Sequence, residues 1–199
     1  MASSLWKLTL EELAAKVAEG PVPAGVSVSA VAAALALKLI AMCLRVSARR
    51  RDFSGDRERL RELLEAAQSE AAQMMEYADK DLAVYQNYLR NRKSSDAAAA
   101  LREAIEVPMK IARAASRGLE LCVAASELVS TGVAPDLGSA ASILYAAVRA
   151  AIRSAEANAA ASSDKKLIEQ LISERRALET HATTLVDRVF AAAVRIRQP

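Results

Sequence analysis

The chain has 199 residues, with 27 basic against 24 acidic side chains, one histidine, two cysteines and a 53% apolar share. That length suits one domain, residues 1–199, with enough core to stand without disulfides or metal. Alanine supplies 45 residues and aromatics only 4%, the profile of closely packed helices and not of a sheet, and a formal charge of +3 gives no argument for a nucleic-acid partner.

In chain order, Ser3, Ser4 or Thr9 can cap a first helix running to about 18, which Gly20 and Pro21 close. A Pro/Gly loop over 20–25 leads into a helix over about 27–46. The apolar run 24–44 is long enough for a membrane span, but Ser27, Ser29 and Lys38 interrupt it and its alanines weaken it. A buried core helix is therefore expected, with no membrane partner. Arg49, Arg50, Arg51, Asp52 and Gly55 mark the next break. A long helix follows over about 56–91, with the stripe Leu60, Leu64, Ala67, Ala71, Met74, Ala78, Asp81, Tyr85 and Tyr88 on its buried face.

Asp96 can cap a helix through 129, which Pro108 should kink or divide. A loop over 131–135 precedes a helix over about 136–161, and Ser162, Ser163 and Asp164 cap a last helix to Arg197. The pattern predicts an all-α bundle of about six helices. Alanine-rich faces, such as Ala32, Ala36 and the stretch 140–151, permit close helix approach and suggest a homodimer.

No zinc-hydrolase, nucleophile-elbow, phosphate-loop or dinucleotide signature is present, so no metal site is expected. Cys43 and Cys122 lie in apolar helical runs and read as buried free thiols of a reducing cytoplasm; the amphipathic, charged N-terminus is unlike a secretion leader. Asp81 is the most informative residue. A carboxylate on a buried face has its pKa pushed upward, which suits a general acid or base. The alternative is a structural Asp bonded to a Tyr hydroxyl or to a neighbouring helix N-terminus. The segment 21–30 feeds a helix start whose free amides can hold an anion or a polar ring edge, or is an ordinary turn. Arg49, Arg50 and Arg51 read as a solvated helix cap or as a docking site for a carboxylate-bearing ligand. His181 reads as structural or surface.

Several segments together resemble the cyclodeaminase/cyclohydrolase family of folate one-carbon enzymes. Residues 21–30 (PVPAGVSVSA) look like the family's PTPGGGSVAA, and the three arginines fall where the family has a lysine-rich run. Residues 81–85 (DLAVY) are similar to D-x-x-A-[FY], and 104–109 (AIEVPM) to A-x-x-V-P-L. Residues 135–141 (PDLGSAA) resemble S-D-x-G-V-A-A, and Asn158 takes the second Asn of N-V-x-I-N. The chain departs from the pattern at Val22, Ala24, Val26, Pro135 and Ser154.

The resemblance implies an all-α homodimer acting on a tetrahydrofolate derivative, with no permanently bound cofactor. It implies hydrolysis of methenyltetrahydrofolate to formyltetrahydrofolate with Asp81 as general base. Pro23, Gly25, Ser27, Ser29 and Tyr85 would line the substrate, Asp136 and Asn158 would hydrogen-bond its polar ring edges, and Arg49, Arg50 and Arg51 would meet the glutamate tail. The competing readings are formiminotetrahydrofolate cyclodeamination and a non-catalytic homodimer that kept the fold as a binding or scaffold protein.

Overall fold

The computed structural model describes residues 4–195. A 3₁₀ turn at Leu5–Lys7 precedes α1 (Leu10–Glu19), α2 (Gly25–Ala48), α3 (Arg57–Asn91) and α4 (Ala97–Ala125). A second 3₁₀ turn at Thr131–Val133 then leads to α5 (Ala134–Ala159) and α6 (Lys165–Arg195). No strand occurs among the described residues, and the fold is all-α as the sequence predicts.

The helix starts follow local chemistry. Thr9 forms a capping box, its hydroxyl accepting from the Glu12 N–H at 3.1 Å while the Glu12 carboxylate accepts from the Thr9 N–H at 2.7 Å. Asp56 accepts from the Glu58 and Arg59 amides at 2.9 and 3.0 Å, and Asp164 from the Leu167 amide at 3.0 Å. Asp96 does not cap α4. Its φ of −90° and ψ of 3° lie outside the extended region that lets a capping side chain turn back onto the helix. Ser4 accepts from the Trp6 amide in the first 3₁₀ turn, and the calls on Ser3 and Arg197 lie outside the described residues. The α4 helix also ends four residues earlier than the sequence suggests.

The helices α2, α3, α4 and α5 form the core, each packed against the next and α5 closing back on α2, while α6 lies over α4 and α5. Neighbours run antiparallel: the start of α2 meets the second half of α3 through Ser27 and Asp81, and its end meets the start of α5 through Cys43 and Val133. This packing explains the apolarity of α2, which places twelve buried residues between its neighbours, with Leu37, Ile40 and Leu44 wholly enclosed. The helices approach closely at Gly118, where an added Cβ would sit 2.9 Å from Leu144 Cδ2 and 3.1 Å from Leu37 Cδ2. Bidentate pairs pin the outer faces: Arg117 to Glu70 on α3 at 2.7 and 2.9 Å, and Arg113 to Glu174 on α6.

The alanines expected at a dimer face serve this packing instead. Ala36, Ala140, Ala141, Ala147 and Ala151 are buried inside the chain, because helices meet most closely where side chains are smallest, and Ala32 alone of the named positions in α2 stays half-buried.

Pro108 neither divides α4 nor ends it. A proline has no N–H, so the carbonyl four residues back, that of Ala104, loses its helical donor. Asn158 of α5 supplies one: its Nδ2 donates to the Ala104 oxygen at 2.7 Å. Asn158→Ala should therefore cost about 1–3 kcal/mol, the penalty of a buried acceptor left unpaired. Pro108→Ala restores the local N–H, so the Asn158→Ala cost should shrink by at least about 1 kcal/mol in that background. Denaturant melts of the four proteins in this cycle measure the coupling, and additivity would refute the exchange of donors.

Candidate functional site

At one end of the core, the start of α2, the second half of α3, the first half of α4 and the end of α5 leave a cavity of about 170 Å³. Its wall includes Ala24, Val26, Asp81, Val84, Tyr85, Pro108, Ser154 and Asn158. The sequence stripe places Asp81 on the inner face of α3, and it is 6% exposed. Ser27, in the first turn of α2, donates its hydroxyl to Asp81 Oδ2 at 2.6 Å.

This contact solves two problems together. Ala24, at the N-cap of α2, has no side-chain oxygen to satisfy the free amides of the first turn. Asp81 brings a carboxylate to that positive helix end from a neighbouring helix, where the helix dipole favours an anion. Burial raises the Asp81 pKa above the ordinary carboxylate value, while the Ser27 hydroxyl and then its backbone N–H draw it back down. The structural alternative of an Asp at a helix N-terminus thus describes the bonding. The carboxyl nevertheless remains part of a cavity wall, as a proton-transfer group requires.

The other predicted site residues divide between the two ends of the bundle. Tyr85 and Asn158 line the cavity with Asp81. Pro23 is buried just ahead of α2, and Gly25 is its first residue, with nothing within 4 Å of an added Cβ. Ser29 turns its hydroxyl back onto its own helix, donating to the Gly25 oxygen at 2.6 Å and the Val26 oxygen at 3.0 Å. Asn158 lines the cavity, and its Nδ2 is engaged with Ala104, so its role is at least partly to hold α4.

Arg49, Arg50, Arg51 and Asp136 are not brought to this cavity. Ser27 and Arg49 are 22 residues apart along one chain segment, about 33 Å of helical rise. The arginines are exposed beyond the end of α2, and Arg50 pairs with Asp52 at 2.7 Å. Asp136 lies half-buried in the first turn of α5, at that same far end, where its charge adds to burial in pushing the Cys43 thiol up to about 11. Burial likewise raises Cys122, so both free cysteines are protonated thiols at neutral pH. His181 is half-exposed on α6, 2.8 Å from Glu120.

Val84 and Ala157 belong to the wall but were not singled out by sequence; their positions one turn beyond Asp81 and one residue before Asn158 are the signal that was available. Three departures from the motif, Ala24, Val26 and Ser154, also line the cavity, and the first two add methyl groups to its wall where the motif has glycine. Neither Ala24 nor Val26 needs a positive φ: Ala24 is extended and Val26 is helical. Among the described residues, no group of three His, Cys, Asp or Glu side chains is placed to hold a metal ion.

The formiminotransferase-cyclodeaminase family model matches residues 9–177, and the chain belongs to that family. It superposes on the crystal structure of formiminotetrahydrofolate cyclodeaminase from Thermotoga maritima with a TM-score of 0.91, over 97% of this chain and 99% of that one, at 22% identity. That likeness establishes a shared fold. No curated protein sequence matches the chain.

Proposed function

We propose that this protein is a cytoplasmic methenyltetrahydrofolate cyclohydrolase in which Asp81 is the general base. The observation that carries the reading is a buried carboxyl in a cavity wall, held by Ser27 and raised in pKa by burial. The methenyl carbon is an electrophilic amidinium, so positioning and proton transfer are the demands left to the protein. Water oxygen bonds to that carbon while Asp81 takes a water proton, giving a neutral tetrahedral adduct. The adduct hydroxyl then loses its proton as the carbonyl forms, one ring nitrogen leaves the carbon and is protonated, and Asp81 releases its proton to solvent. The products are formyltetrahydrofolate and one proton, with no permanently bound cofactor.

The second reading is cyclodeamination, favoured by the activity named for the Thermotoga structure. There the substrate's second amine nitrogen would attack the formimino carbon and pass its own proton to the departing nitrogen, and the protonated Asp81 carboxyl would supply one further proton, so that ammonia leaves and the methenyl cation forms. Loss of methenyltetrahydrofolate absorbance and release of ammonia from formiminotetrahydrofolate separate the two.

Asp81→Asn keeps the shape and the hydrogen bond from Ser27 but cannot take a proton from water. Turnover should fall about 10²–10⁴-fold with folate binding retained. The variant should be at least as stable as the parent at neutral pH. A carboxyl with a raised folded pKa favours folding while protonated and loses that advantage as pH rises through the folded value, so the difference should vanish below the ordinary carboxylate pKa. A variant as active as the parent removes Asp81 from the chemistry. A parent inactive on both substrates leaves a non-catalytic binding protein.

We also propose that a second copy covers the outer face of α2. Val28, Ala32, Leu35, Leu39, Met42 and Val46 recur at alternating four- and three-residue spacing there, and Leu35 is 53% exposed. Light scattering should give twice the chain mass at micromolar concentration, and Leu35→Glu should reduce it to one chain. A parent already monomeric contradicts the proposal.

A further inference from the structure

The helices α3 and α5 stand diagonally across the ring of core helices, with α2 and α4 packed between them. Asp81 on α3 and Ser154 on α5 therefore meet the cavity from opposite walls. Much of the wall between them is carbon, from Ala24, Val26, Val84 and Pro108. A polar group at Ser154 thus has few neighbours to share its hydrogen-bonding capacity.

Every other serine of α2 and α5 has a protein acceptor. Ser27 donates to Asp81, and Ser29, Ser47, Ser139 and Ser142 donate to the carbonyl four residues back, at 2.6, 2.8, 3.1 and 3.0 Å. Ser154 does neither. It is half-buried at the cavity wall, and its hydroxyl bonds to no protein group among the described residues. Asn158, one turn further along α5, has its Nδ2 engaged with Ala104. Tyr85 lies on the same wall as Asp81, one turn along α3, so Ser154 carries the free hydroxyl that faces the carboxyl from across the cavity.

We propose that Ser154 is a second catalytic residue, donating its hydroxyl to the oxygen that water delivers to the reacting carbon. The inference rests on the cyclohydrolase reading of this cavity. As the water oxygen bonds to the methenyl carbon, Asp81 takes a proton from one side of that oxygen and Ser154 donates a hydrogen bond from the other. Ser154 keeps its own proton throughout. When the adduct hydroxyl is deprotonated and the carbonyl forms, negative charge gathers on the same oxygen, and the bond from Ser154 strengthens there. The methenyl substrate carries no oxygen at its reacting carbon, so this contact belongs to the transition state, the adduct and the formyl product. It adds nothing to binding of the substrate itself.

The test is Ser154→Ala on the full chain. Its kcat should fall at least about tenfold with KM for methenyltetrahydrofolate unchanged. By calorimetry, formyltetrahydrofolate should bind about fivefold more weakly to the variant, and tetrahydrofolate, which lacks the one-carbon oxygen, as to the parent. Because Ser154 holds no other part of the protein, the denaturation midpoint should stay in place or rise slightly. An unchanged kcat overturns the assignment. So does an equal loss of binding for both folates, which would make Ser154 an ordinary substrate contact, or a lowered midpoint, which would make it structural. A fall in kcat on Tyr85→Phe but not on Ser154→Ala gives the donor to Tyr85 and also overturns it. If the parent hydrolyses no methenyltetrahydrofolate while Ser154→Ala still loses affinity for the formyl ligand alone, the proposed reaction fails and the oxygen contact stands. A parent that binds neither folate removes both.

Discussion

The arrangement of the site depends on one contact, the hydrogen bond between Ser27 in the first turn of α2 and Asp81 in the second half of α3. It joins the positive end of one helix to a carboxylate carried in by its antiparallel neighbour, so each group relieves a cost the other would incur alone. The α2 amides lack a cap from their own side of the chain, and the Asp81 carboxyl is out of water. Burial raises its pKa and Ser27 restrains that rise. A group so balanced is held in place, yet titrates closer to neutrality than a surface aspartate. Packing thus sets the chemistry available at the cavity.

The opposite wall is held by a comparable exchange. Pro108 sits inside an unbroken α4, and α5 brings Asn158 to the carbonyl that the proline strands. Ser154 and Asn158 lie four residues apart on α5 and share the cavity face, so the residue that repairs α4 also fixes where the wall stands. Ala24 and Val26 give the α2 side more bulk than a glycine-rich loop would. A folate bound here would meet methyl groups where backbone would otherwise face it.

Helical periodicity made much of this legible. The three- and four-residue spacing along α3 identified Asp81 as buried, and Ala67, Ala71, Met74 and Ala78 are all wholly enclosed. The register slips at Leu64, which is half-buried while Leu63 is core, because a helix of 3.6 residues per turn drifts against a stripe read with a shorter period. Tyr85 and Tyr88 also read as core but are only half-buried, since α3 there lines cavities instead of packing against a neighbour. What periodicity could not supply was which end of the bundle each motif occupies. Arg49, Arg50 and Arg51 follow the segment that begins with Pro21, yet the full length of α2 stands between them. Asp136 opens α5, whose end, and not its start, reaches the cavity. The Ser27–Asp81 pair spans 54 residues, and only the antiparallel packing of α2 on α3 brings it together.

The central claim is that burial and Ser27 jointly tune Asp81, and the most direct measurement is its titration. Carboxyl-carbon NMR on the full chain, with Asp81→Asn to assign the resonance, should place the parent pKa above the ordinary aspartate value. Ser27→Ala should raise it further, because removing a donor to the ionised form leaves burial less opposed. An Asp81 that titrates at or below the ordinary value, or does not respond to Ser27→Ala, would contradict the account.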